Sequence, residues 1–251
     1  MCLTGRVATT SRAAGVRSRA RAQMRTEILD AAREQLAAEG VGTLSLRGVA
    51  RDLGMAPSAV YRYFENRDVL LTALIVDAYD ALGDAVEHTE RAVARGDLAG
   101  RWAAIARAVR RWALVNPSLY ALVYGSPVPG YAAPPETVVP ATRVTQRLAA
   151  LVQDALAGRD PATGPPALDA AAPVSGGAEQ GLAPLVEFLG PGTSPEWAVR
   201  ALMAWTWLFG AVSFELFGQL NGAVLPEQRA EVFDAEVERA AAWLGLGSGH
   251  P

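Results

Sequence analysis

The sequence predicts an all-α protein: a small N-terminal three-helix module joined to a larger C-terminal helical bundle. Three observations predict it. No alternating Val/Ile/Thr stretch bounded by turns is present, so strands are not expected. Apolar residues recur at three- and four-residue spacing along the chain, among Ala, Leu, Arg and Glu. Charge is unevenly divided: residues 1–67 carry 11 Arg against 6 Asp and Glu, whereas residues 68–251 carry 12 Arg against 20. A basic end on an acidic body suggests that one part meets a polyanion.

The elements follow in order. Residues 1–20 are small, polar and arginine-rich, and a disordered arm is expected there; residues 21–66 form the first module and 67–251 the bundle. A helix over residues 23–39 places Ile28, Ala32 and Leu36 on one stripe and stops at Gly40. Ser45 caps a second helix, in which Leu46, Val49, Ala50 and Leu53 follow the i, i+3, i+4, i+7 pattern before Gly54 ends it. Pro57 opens a third helix reaching about Phe64. Asn66 caps a fourth, which runs through Leu70, Leu74 and Ala78 to about Arg95. Further helices are expected over 98–115, 117–124, 136–157, 178–189, 195–220 and 226–244. Residues 126–135 are a proline-rich connection, and residues 158–177, rich in Pro, Gly and Ala, read as a flexible loop.

Composition narrows the function classes. With 251 residues, 51% of them hydrophobic, the chain can bury a real core. The single cysteine, Cys2, forms no intrachain disulfide and fits a reducing compartment. The first 25 residues hold six Arg and no long apolar run, unlike a secretory signal. The uncharged apolar run 201–214 is shorter than the roughly 20 residues a membrane span needs, so a cytoplasmic protein is expected. His88 and His250 are the only histidines. No phosphate loop, dinucleotide fingerprint or metal-ligand cluster appears, so no catalytic residue, cofactor or metal is expected.

The informative stretch is residues 43–67, TLSLRGVARDLGMAPSAVYRYFENR. Two short helices meet at a tight turn, Gly54-Met55-Ala56. In the second, Val60 and Phe64 are four apart and face the core, while Pro57, Ser58, Ala59, Tyr61, Arg62 and Tyr63 occupy the other side. Small residues at a helix start allow close approach to base edges, and Tyr and Arg reach phosphates on either side. By spacing alone this helix-turn-helix pattern fits a helical interaction protein as well as a DNA reader.

The strings LSLRGVARDLG, PSAVYRYF and ENRDVLLTAL, within residues 25–74, resemble the TetR family of transcriptional regulators. The resemblance implies that Ser45 and Arg47 approach DNA, that Pro57, Ser58 and Ala59 face base edges, and that Tyr61, Tyr63 and Arg67 hold phosphates. Many relatives carry histidine at the position of Tyr63 and lysine at that of Arg67, and both exchanges keep a phosphate donor. Pro57 and Ala59 offer no polar side chain, so contact there is expected with thymine methyls. The arginines of the arm, Arg6, Arg12, Arg17, Arg19, Arg21 and Arg25, have two readings: a groove-tracking element or, favoured over 1–15, a solvated tail.

For the body, the resemblance implies a ligand cavity and a dimer interface built from the last two helices. Residues 195–220 hold Trp197, Trp205, Trp207, Phe209, Phe214 and Phe217, more aromatic surface than one helix face requires. Gly210 and Gly218 would admit a close partner helix, and the final helix adds Val232, Phe233, Val237 and Leu244. A helix that is hydrophobic most of the way round is buried on more than one face, and a homodimer supplies the second. Trp102, Trp112, Tyr120, Tyr124, Met203, Trp205 and Phe209 are the candidate contacts for a mostly apolar small molecule. Arg107, Arg110 and Arg111 lie beside them, and one buried member would pair with an anionic ligand. The expected function is a repressor released from a palindromic, double-stranded operator by that ligand.

Overall fold

The computed structural model describes residues 7–157 and 173–246. The described residues form eleven α-helices and no strand. The first helices are α1 (Val7–Glu39), α2 (Leu46–Asp52), α3 (Pro57–Val60) and α4 (Arg67–Arg91). The body continues with α5 (Leu98–Val115), α6 (Pro117–Tyr124), α7 (Val138–Ala157), α8 (Gly177–Gly181), α9 (Ala183–Leu189), α10 (Pro195–Leu216) and α11 (Arg229–Trp243).

The first core is small and apolar. Ile28, Ala32, Leu44, Leu46, Val49, Val60, Phe64, Leu70 and Leu74 are buried together where α1 to α4 meet. The caps lie where side-chain chemistry favours them. Ser45 accepts a hydrogen bond from the Gly48 amide, and Asn66 accepts one from the Val69 amide. Gly54 turns the chain at φ 62°, a conformation that costs glycine no Cβ clash. Gly48 allows α1 and α2 to approach: a Cβ there would meet the Gln35 amide nitrogen at 2.2 Å. Gln35 is buried, and its Oε1 accepts from the Ser45 amide at 3.1 Å. Gly48→Ala should therefore destabilise the module by about 1–3 kcal/mol, measured by chemical denaturation.

A second core fills the body, with Trp102, Ile105, Val109, Tyr120, Leu151, Trp197, Leu208 and Val237 among its members. α4 belongs to both cores: Leu70 and Leu74 pack in the first, and Ala78, Leu82 and Val86 in the second. One continuous helix therefore joins the two. Polar clamps reinforce it. Arg143 of α7 donates to Asp80, Asp84 and Glu87 of α4, and Gly83 lies directly beneath its guanidinium. Nearer the far end of α4, buried Arg101 donates to Glu90 at 2.7 Å and to Asp154 at 2.7 Å. Hydrogen bonds from Arg95 and Arg101 hold the Asp154 carboxyl below its usual range. α10 is long and apolar enough to cross a bilayer by length and composition alone, yet it packs against α5, α7, α9 and α11.

Several boundaries differ from expectation. The disordered arm expected over 1–20 is replaced, from Val7 onward, by a continuation of α1. Ala and Arg are strong helix formers, and the 33-residue helix contains no proline. α3 ends at Val60 rather than near Phe64, because the chain tightens into i→i+3 bonds such as Tyr63 N to Val60 O. α4 stops at Arg91, short of Arg95. The helix expected over 178–189 splits at Leu182, since Pro184 opens a new helix and has no N–H to continue the old one. α10 ends at Leu216, and Gly218 and Gly222 then take positive φ. The flexible loop expected over 158–177 falls mostly on 158–172, outside the described residues; Cys2, Arg6 and His250 are outside them too.

Candidate nucleic-acid interface

The turn from Gly54 to Ala56 presents α3 on the outside of the first module. Val60 and Phe64 are fully buried and fix its inner side. Pro57, Ser58, Tyr61 and Arg62 are exposed, and Arg47 of α2 is exposed as well. Ala59, Tyr63 and Ser45 are half-buried. The Ser45 oxygen is occupied as the α2 cap, which leaves its O–H to donate.

Arg67 requires a correction. Its Nε donates to the Leu44 carbonyl at 3.0 Å and its Nη2 to the Val41 carbonyl at 2.7 Å. It braces the connection between α1 and α2 rather than standing free as a phosphate cation. Two of the arm arginines named from the sequence, Arg21 and Arg25, touch its reading end. The Arg21 guanidinium lies 5.5 Å from the Tyr63 ring centre and Nη2 donates to the Arg62 carbonyl at 3.4 Å. Arg25 lies 4.4 Å from the Phe64 ring centre. The sequence leaves these arginines open between a groove-tracking element and a solvated tail; their contacts with the reading end join residues 41 positions apart and leave no local pattern.

The seven ligand candidates do not converge on one cavity. Trp102 and Tyr120 are fully buried, and Trp112 nearly so. Trp102 Nε1 donates to the Val237 carbonyl, and the Tyr120 hydroxyl bonds the Phe209 carbonyl and Ser213. Met203 and Trp205 are exposed on α10. The rings of Tyr124 and Phe209 pack at a tilt with centres 4.4 Å apart, and the path continues to Tyr79 at 5.9 Å and to Trp205 at 6.4 Å. Burial raises the Tyr124 phenol far above its ordinary value. Of the three arginines beside them, Arg107 pairs with Asp234, Arg110 with Glu215 and Arg111 with Thr89.

Two openings flank this aromatic path. The larger, about 480 Å³, lies between α4, α6, the 125–133 connection and the start of α7, where Tyr79, Val123, Tyr131 and Val138 line it. Of its lining, the Tyr131 hydroxyl hydrogen-bonds the buried Thr72 at 2.8 Å, and the Tyr79 hydroxyl donates to the Val123 carbonyl. The smaller, about 240 Å³ and almost wholly apolar, lies against Leu148, Phe188, Leu202 and Trp205. Sequence reasoning missed Tyr79 and Tyr131, because a cleft lined from α4, α6, the 125–133 connection and α7 leaves no local pattern.

A solvent-facing short helix, set by a glycine turn on a three-helix core, defines a helix-turn-helix DNA-binding transcriptional regulator. The chain belongs to the TetR family. Residues 28–74 match the family model for bacterial regulatory proteins of the tetR family, and residues 102–240 match the tetracyclin repressor-like C-terminal domain. The HTH-type transcriptional regulators Rv1816 of Mycobacterium tuberculosis and Mb1846 of Mycobacterium bovis are each 41% identical over 252 residues, covering 97% of this chain and 99% of theirs. The crystal structure of the regulatory protein SCO4313 superposes with a TM-score of 0.69 at 36% identity, covering 90% of this chain and 98% of that one. The family and these relatives are regulators rather than enzymes.

Proposed function

We propose that this regulator is a cytoplasmic homodimeric repressor that leaves a palindromic operator when a mostly apolar small molecule binds its body. The observation that carries the DNA part is the exposed row Pro57, Ser58, Tyr61 and Arg62 over the buried pair Val60 and Phe64. Ser58 and Ala59 meet base edges, and Arg47, Tyr61, Arg62 and Tyr63 hold the flanking backbone. Ser45 supports the α2 start, and Arg67 acts through the turn it braces.

The homodimer is supported by the outer faces of α10 and α11. Leu202, Met203, Trp205, Phe214, Phe217, Val232 and Trp243 are all exposed there. So much apolar surface is unusual on a monomer and suits a self-complementary two-fold contact. Met203 and Trp205 therefore suit the interface better than a ligand. The effector is assigned to the larger cleft, whose volume falls within the usual range for small-molecule sites and whose lining is apolar with hydroxyl tips. Ile75 and Tyr79 of α4 line it, and α4 continues into the reading module. A ligand that fits one α4 arrangement better than the other shifts operator affinity by that difference.

The test is footprinting on DNA flanking the protein's own gene, with and without apolar effectors. A protected palindrome with half-sites about 34–36 Å apart is expected. Tyr61→Phe and Arg62→Ala should weaken binding to every sequence; only the loss of the Arg62 charge should make the salt slope shallower, by about 1 per lost phosphate contact. Ser58→Ala should instead alter sequence preference. An unprotected region, or binding indifferent to salt, would refute the reading.

A further inference from the structure

We infer that the N-terminal extension of α1, residues 7–26, is a second DNA-contacting element, an arginine-bearing helix that follows the phosphates beside the operator half-site. The inference rests on the DNA-binding reading and lengthens its footprint. The stretch carries Arg12, Arg17, Arg19, Arg21 and Arg25 and no carboxylate before Glu27. Every side chain from Val16 to Gln23 is exposed, so core packing does not hold this part of the helix.

Arg17, Arg21 and Arg25 repeat every four residues and share one helix face. Like charges at that spacing disfavour a helix. A helix with that repulsion, its side chains exposed from Val16 to Gln23, is stabilised when a polyanion lies along it. The face has a definite direction. Arg21 reaches the Arg62 carbonyl and the Tyr63 ring, and Arg25 covers Phe64. The arginine face is therefore continuous with the chain that follows the reading helix and carries Arg62 and Tyr63. From Thr26 back to Val7 the helix extends about 30 Å. That is most of one DNA turn, along which a duplex presents one negative charge per roughly 1.7 Å. A duplex is the partner chosen over an acidic protein surface because the arginine face adjoins the exposed Tyr61 and Arg62.

The experiment uses the full chain and two duplexes, both carrying the palindrome recovered by footprinting. One ends at the palindrome, and the other adds about ten base pairs, one turn, on each side. Wild type should bind the flanked duplex more tightly. The triple variant Arg12→Ala, Arg17→Ala and Arg19→Ala should lose that preference. Its slope of log K against log salt should be shallower by about 2–5, at roughly 0.9 per lost phosphate over two subunits. Its sequence preference should be unchanged. Alanine favours the helix as well as arginine does, so circular dichroism should be retained, and the corresponding Arg→Lys triple should restore the slope. Wild-type slope and flank preference in the alanine variant would overturn the inference while leaving the DNA-binding reading intact. If wild type binds neither duplex, that reading falls and the arm's role falls with it.

Discussion

Arg101→Met should destabilise the fold by about 3–5 kcal/mol, the usual cost of removing one partner from a buried ion pair. The side chains of Arg101 and Glu90 are 7% and 6% exposed. Glu90 would keep only Arg147, at 3.3 Å, and Asp154 would keep Arg95 on the exposed side. Methionine fills much of the volume, so the loss would come from the stranded carboxylate rather than a cavity. For a chain of this size the thermal midpoint should fall by roughly 6–20 °C. The double variant Arg101→Met, Glu90→Leu should recover much of that loss, because it removes the charge that methionine abandons. Thermal unfolding at fixed protein concentration checks both. A single variant within about 1 kcal/mol of wild type would show that water reaches the cluster and screens it.

This cluster also marks the limit of what the sequence makes legible. The caps Ser45 and Asn66 and the turn at Gly54 are local chemistry, and each appears where its residues predict it. The helical stripes are equally local: Val60 and Phe64 face the core because four residues is about one turn. What joins distant segments is not legible. Arg101 and Asp154 are 53 positions apart, and either could have been a solvated surface charge. Arg67 occupies a position that the family resemblance assigns to a phosphate contact, yet carbonyls 23 and 26 positions earlier take up its donors. Trp102 and Tyr120 carried the polar tips expected of ligand contacts, but those tips are satisfied by backbone carbonyls in the core. The arm failed for a different reason. Reading polarity as disorder overlooked the helix propensity of Ala and Arg, which needs no buried stripe to be expressed.

The second large effect concerns assembly, and it joins the body to the reading module. Phe214→Glu should convert the proposed dimer to monomers and lower operator affinity by about 10²–10⁴-fold, the gain that linking two binding modules ordinarily confers. Phe214 is 55% exposed in the subunit. It lines an apolar groove of about 300 Å³ with Trp207, Gly210, Val232 and Phe233. A carboxylate there stays hydrated in the monomer but must be desolvated without a partner when two such faces close. The subunit should therefore fold normally, with intact circular dichroism, while sedimentation reports half the mass. Arg62→Ala is the matching control: it should weaken DNA binding and leave the dimer whole. If Phe214→Glu sediments as a dimer, the outer face of α10 is not the interface. If it is monomeric yet binds the palindrome as tightly as wild type, one reading helix suffices, and the two-fold relation between protein and operator is wrong.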